Sequence, residues 1–391
     1  MRIAFLGKGG SGKTTTAASF IRHAARKHPF VLAFDADVNA HLGAALAIEG
    51  ELQHLGKLFT PLTQHLKGSR TDLGDKPMIM TTPPSMLSNF VRCQFDDPII
   101  AKYGRRQDSI ALLTVGKYEQ SDVGSACYHS KLSGAISVLH HLLDGPTDIV
   151  VADNTAGTDA VATSLWFAYD MHVFVVEPTQ KSLQVYKDFI KLMPALADKT
   201  YVLGNKVEGA EDEQFIAGQI AADKLLGFVP LSKHLKRFEQ GHAEAMELFQ
   251  QEQALVFDKV LATLLSKTRD WDVYLQRLRE THLRLCLEWY NDFHGIKLEE
   301  GLDTSFSYQA VLQPVVPAPV VEAALVEPAA VELAVVEPGV DEIATASAAV
   351  VKTSPEASAA PAPLVGPTAE STIVQTPLEP PAVSQISTKA D

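Results

Sequence analysis

Cysteine is scarce in this chain: three in 391 residues, Cys93, Cys127 and Cys286, an odd number too widely spaced for a disulfide framework. Free thiols and a reducing compartment are the expectation. No uninterrupted apolar run approaches the roughly 18 residues that a membrane-spanning helix needs, and residues 1–20 lack the basic, apolar and small-residue succession of a secretory leader. Both absences point to a soluble, cytoplasmic protein. Positive charge is also in deficit. The 34 Lys+Arg against 47 Asp+Glu leave a formal net charge of -13, which argues against binding nucleic acid or an anionic membrane with the whole surface.

Aromatic residues stop at Tyr308, and Pro, Ala, Val and Glu take over from about residue 311. Beyond that point ten acidic residues face two lysines, so most of the net charge belongs to the tail. Glu322, Glu327, Glu332, Glu337 and Glu342 recur every five residues, a period that fits neither helix nor strand. Recurrent proline blocks both ladders and the charge opposes collapse, so residues 311–391 read as a disordered, polyproline-like segment.

What is present, at 46% apolar residues, is ample for a core. Short β-branched or aliphatic runs at 2–6, 31–35, 110–115, 149–153, 172–176 and 201–203 alternate with helical periodicity at 13–26, 131–143, 181–193 and 211–224. That alternation predicts an α/β fold: a doubly wound, mostly parallel sheet with helices on both faces. Residues 78–81 have the composition of a further strand, and His140 and His141 read as helix-surface residues. After Pro230 the pattern is helical, with Trp271, Tyr274, Leu275, Leu278, Leu285, Trp289 and Phe293 on one face and charges balanced around them. This face is expected to pack on the body or on a partner. The chain therefore divides into an α/β domain at 1–265, a helical C-terminal extension at 266–310 and the tail at 311–391.

The strongest local signal is Gly7-Lys8-Gly9-Gly10-Ser11-Gly12-Lys13-Thr14, a G-x-x-x-x-G-K-[ST] phosphate loop lying between a predicted strand and a predicted helix. Its glycines let successive N–H groups turn onto phosphate oxygens, and the following helix presents its positive end to the same anion. Lys13 should reach the β- and γ-phosphates, Thr14 should place its hydroxyl on Mg²⁺, and Thr15 continues the contact surface. Carboxylates arrive at the ends of two other strands: Asp37 after 31–35 and Asp153 at the end of 149–153, where α/β sheets bind ligands.

The run Lys8-Gly9-Gly10-Ser11-Gly12-Lys13-Thr14 resembles the deviant Walker A motif of the MinD/ParA/ArsA superfamily of P-loop ATPases, and the resemblance covers about residues 1–265. It implies an ATP-dependent homodimer in which Lys8 contacts nucleotide across the interface, a catalytic set of Lys8, Lys13 and Asp37, and Mg²⁺ held by Thr14, Asp37 and Asp153, partly through water. Residues 35–42, Asp-Ala-Asp-Val-Asn-Ala-His-Leu, are similar to the family's switch I, with Val38 in place of Pro and His41 in place of a second Asn. Asn205 and Lys206, with Pro230 and Leu231, occupy the places of base-binding elements.

Within the superfamily the order of residues 112–117, Cys127-Tyr128-His129, residues 153–157 and Glu177-Pro178 with Ser182 resembles the CooC-like branch of accessory ATPases for nickel insertion. That implies a maturation factor serving a client protein. His129 stands where the branch has a second Cys, and Thr155 where it has Glu. A thiolate with an imidazole, doubled across a dimer axis, would give a Cys₂His₂ set for zinc or nickel; a buried structural Cys127 beside an exposed His129 is the other reading. A MinD/ParA-like positioning switch is the alternative function, although neither a basic membrane helix nor a basic DNA-binding face is evident. An iron–sulfur reductase is disfavoured because the surroundings of Cys93 and Cys127 do not resemble a cluster motif.

Overall fold

A computed structural model describes residues 1–122, 128–157 and 162–312. Eight strands form one sheet: β1 (Arg2–Gly7), β2 (Val31–Ala36), β3 (Arg105–Gln107), β4 (Ile110–Thr114), β5 (Ile149–Asn154), β6 (Met171–Val176), β7 (Thr200–Val207) and β8 (Leu225–Pro230). Their order is β8-β7-β6-β1-β5-β2-β4-β3. All neighbours are parallel except β3, which hairpins back along β4 as an antiparallel edge. The continuous apolar runs are explained by burial on both faces: every residue of β1, β2, β5 and β6 is buried. Helix α1 (Lys13–Ala25) covers one face with Ala17, Phe20, Ile21 and Ala24, and α2 (Ser133–His140) covers the other with Ala135, Ile136 and Leu139. The doubly wound α/β architecture expected from the sequence is thus present, and no helix among the described residues is long and apolar enough to cross a membrane.

Three local expectations are corrected. Residues 78–81 form no strand; the Ile79 N–H turns back to donate to Thr82 Oγ1 at 2.9 Å. The helix expected over 211–224 spans only Ala210–Ala217, because Gly218 follows it. His140 and His141 are buried rather than on the surface. The reason is distant in sequence: the His140 ring is covered by Tyr274 and Ser164, whose oxygens lie 2.7 and 3.0 Å from its two nitrogens.

Tyr274 belongs to α3 (Trp271–Leu285), the long helix of the C-terminal region. Tyr274, Leu275 and Leu278 are buried with Phe306 and Tyr308 against Leu143, Phe167 and Ala168 of the body. A buried ionic network adds to this seam. Arg269 donates to Asp144 at 2.7 and 2.8 Å and to Asp170 at 2.9 Å, and Arg2 donates to Asp144 at 2.8 Å. The single apolar face expected over 271–293 holds only for its first half. His282 and Cys286 continue the inward face from Leu278, but at Cys286–Tyr290 the helix widens into a π turn, which resets its phase and leaves Trp289 and Phe293 69% and 81% exposed.

Candidate functional site

β1, β5 and β2 lie side by side, so the loops after them share the carboxyl edge of the sheet. The phosphate loop leaves β1 there. Gly12 caps α1 in the left-handed region at φ 85°, and a Cβ at this position would sit 2.3 Å from Asn205 Nδ2. Glycine is needed for both reasons. The loop is tied down from β7: Asn205 Nδ2 donates to the Ser11 carbonyl at 2.8 Å, and Lys206 Nζ donates to the Gly10 carbonyl at 2.6 Å.

Lys13 is the hub. Its Nζ donates to Asp153 Oδ1 at 2.6 Å and to Asp37 Oδ2 at 3.0 Å, with all three side chains buried. Burial pulls the ammonium down, but Asp153 and Asp37 outweigh it and hold Lys13 above its ordinary pKa. Burial pushes Asp37 up, yet Lys13 and the Asn39 amides win and keep this carboxyl below its ordinary value. Asn39 contributes its N–H at 2.9 Å and its Nδ2 at 3.0 Å to Asp37 Oδ1. For Asp153, burial dominates and raises the pKa despite Lys13 and the Thr14 hydroxyl. Asp35 is pushed up to about 7 by burial and by Asp153.

Asp153 Oδ2 is buried without a hydrogen-bond partner. An orphaned carboxylate oxygen beside the Thr14 hydroxyl suits a hard cation with oxygen ligands, so these residues fit Mg²⁺. No group of three or more His, Cys, Asp or Glu among the described residues is placed to hold a metal. Cys127 lies outside the described residues, and His129 falls in the short helix Tyr128–Lys131, so the structure describes no Cys127/His129 pair.

Lys8, Gly9, Gly10, Gly12, Lys13, Thr14 and Thr15 share one cleft of about 530 Å³ with Asp37, Asn205, Lys206, Pro230 and Leu231, and Ser11 is buried beneath them. Asp153 sits behind Lys13. The volume suits a nucleotide-sized ligand. Glu177, read from the sequence only as part of the Glu177-Pro178 turn, belongs to the site: its carboxylate accepts from Lys206 at 2.7 Å and lies 3.9 Å from Lys8. Its position just past β6, the strand beside β1, was the available signal.

With this geometry in place, likenesses to other proteins gain meaning. Residues 3–244 match the CobQ/CobB/MinD/ParA nucleotide binding domain. The chain is similar to an uncharacterised ATP-binding protein of Methanocaldococcus jannaschii, 29% identical over 243 residues that cover 61% of this chain and 88% of the relative. It is also similar to the carbon monoxide dehydrogenase accessory protein CooC of Rhodospirillum rubrum, 26% identical over 253 residues, covering 63% and 90%. Among solved structures it resembles the MinD cell division protein of Aquifex aeolicus, with 20% identity, 69% of this chain and 98% of that chain covered, and a TM-score of 0.40.

Proposed function

Because the chain belongs to the CobQ/CobB/MinD/ParA nucleotide-binding family, we propose that it binds Mg-ATP in the cleft, hydrolyses it as a dimer closed around nucleotide, and serves as an accessory or maturation factor akin to CooC. The observation that carries this reading is the convergence of Lys13, Asp37 and Asp153 at the foot of the phosphate loop. Phosphoryl transfer asks a protein for positioning and charge neutralisation rather than covalent chemistry. The loop amides and the start of α1 receive the phosphates, and Lys13 exchanges its carboxylate partners for phosphate oxygens. That exchange releases Asp37, still held by Asn39, to orient the attacking water. Mg²⁺, when bound, neutralises phosphate charge, and Thr14, Asp37 and Asp153 are the residues that would hold it. Lys8, whose side chain is 38% exposed at the cleft mouth, is free to reach the nucleotide of a second copy.

Two variants test the assignment. Lys13→Ala should weaken ATP binding at least about 100-fold, because the loop loses its buried cation. Asp37→Ala should retain binding and lose turnover by about 10²–10³-fold. Isothermal titration and phosphate release measure these separately, and full hydrolysis by the Asp37 variant would remove the water-positioning role. Cys127 and His129 are proposed as the ligands of a zinc or nickel ion at the dimer axis; metal counted in the ATP-bound sample, with and without Cys127→Ala, decides that point.

A further inference from the structure

The C-terminal helical region ends in apolar surface that the described residues leave uncovered. Leu283, Leu287, Trp289, Phe293 and Ile296 are 46%, 63%, 69%, 81% and 40% exposed. Leu283 with Leu287, and Trp289 with Phe293, are each four residues apart, so each pair shares a side of the helix and the two pairs flank the π turn. Single exposed apolar residues are ordinary, but five within fourteen residues, one of them Trp, have the make-up of an interface centre.

Their place in the fold identifies the occupant. α3 starts where the strands start, with the Tyr274 hydroxyl 3.3 Å from Arg2 Nη1. By Cys286 it has reached Ile79, in whose cluster that thiol is buried. The next residue, Met80, has its sulfur 3.7 Å from the Ser133 hydroxyl. Ser133 opens α2, whose Gly134 packs against the Leu55 carbonyl, and the neighbouring Gly56 N–H donates to Val115 at the carboxyl end of β4. The helical run from Trp271 to His294 is roughly 35 Å long at 1.5 Å per residue, whereas a six-residue strand spans roughly 20 Å. It therefore outruns the sheet and projects at the edge that carries the phosphate loop. The surrounding charges are of mixed sign, with Arg284 3.8 Å from Glu288 and Lys297 2.8 Å from Glu300. With its charges paired within the chain, such a surface presents no block of one sign to repel a second copy and offers no basic cluster to nucleic acid or anionic lipid.

We infer that Leu283, Leu287, Trp289 and Phe293 pack against a second copy of this chain when ATP closes the dimer, so that the C-terminal helix forms a second contact outside the nucleotide cleft. The inference rests on the ATP-dependent dimer proposed above. The experiment compares the full-length chain with its Trp289→Ser/Phe293→Ser variant by sedimentation equilibrium, with ADP and with the β,γ-imido analogue of ATP. Both side chains are more than two-thirds exposed, and circular dichroism with ADP titration verifies that the variant folds and binds. The expected result is an analogue-bound dimer whose dissociation constant rises at least 30-fold in the variant, about 1 kcal/mol for each lost anchor, with affinity for ADP unchanged. Trp289 emission should also shift to the blue with the analogue, a change absent from Trp289→Phe. An equally tight variant dimer with unshifted emission overturns this inference alone and leaves the dimer standing. A wild-type chain that stays monomeric with the analogue overturns both readings together.

Discussion

Lys13 shows how one residue links the fold to its chemistry. A buried ammonium is unfavourable alone, and two carboxylates from two different strands make it tolerable. The same carboxylates are the groups proposed to handle water and metal, so binding phosphate rearranges the acids in the same step. Gly12 is the backbone counterpart. Gly12→Ala puts a methyl group into the Asn205 amide at φ 85°; ATP affinity should fall at least about tenfold and stability by about 1–2 kcal/mol, as titration and urea denaturation would show. The loop glycines, Lys13, Asp37 and Asp153 were legible because a short motif and strand-end positions identify them locally. Glu177 was legible only as part of a turn, since its contacts with Lys206 and Lys8 follow from the sheet order that sets it beside β1.

At the scale of elements, the helical C-terminal region is held by buried polar groups as much as by apolar contact. His282 lies between Thr81 and Cys286, 3.4 Å from the hydroxyl and 3.5 Å from the thiol, and burial lowers its pKa from 6.5 to about 4. A histidine with a depressed folded-state pKa binds protons more readily when unfolded. Its contribution is intact above pH 6.5 and lost as pH falls toward 4, by about 3 kcal/mol when complete. His282→Gln should therefore flatten the acid side of the stability–pH curve by that order, measured by urea unfolding at pH 7 and pH 4.5; an unchanged slope would place His282 outside the linkage. Neither the burial of His140 nor the π turn could be read from periodicity. The cover for His140 comes from Tyr274, 134 positions downstream, and the turn at Cys286 breaks the very period on which the reading of Trp289 and Phe293 relied.

For the molecule as a whole, the body and the C-terminal helix share one seam, with Leu143, Phe167 and Arg2 on one side and Tyr274, Phe306 and Tyr308 on the other. A chain cut after residue 312 should bind ATP and melt within about 2 °C of the full-length protein. One cut after residue 265 exposes that seam, strips Arg269 from Asp144 and Asp170, and should aggregate or lose several kcal/mol; light scattering and thermal melts of the two truncations decide. Strand alternation made the sheet legible, whereas a seam between segments more than a hundred residues apart leaves no local trace. The position of β1 has one more consequence. Its neighbours are β5 and β6, and Arg2 closes its contacts on Asp144 and Tyr274. On the ribosome, then, the phosphate loop emerges long before its supports: its strand stays unpaired and apolar until β5 and β6, roughly 140–170 residues further on, have followed it out of the exit tunnel.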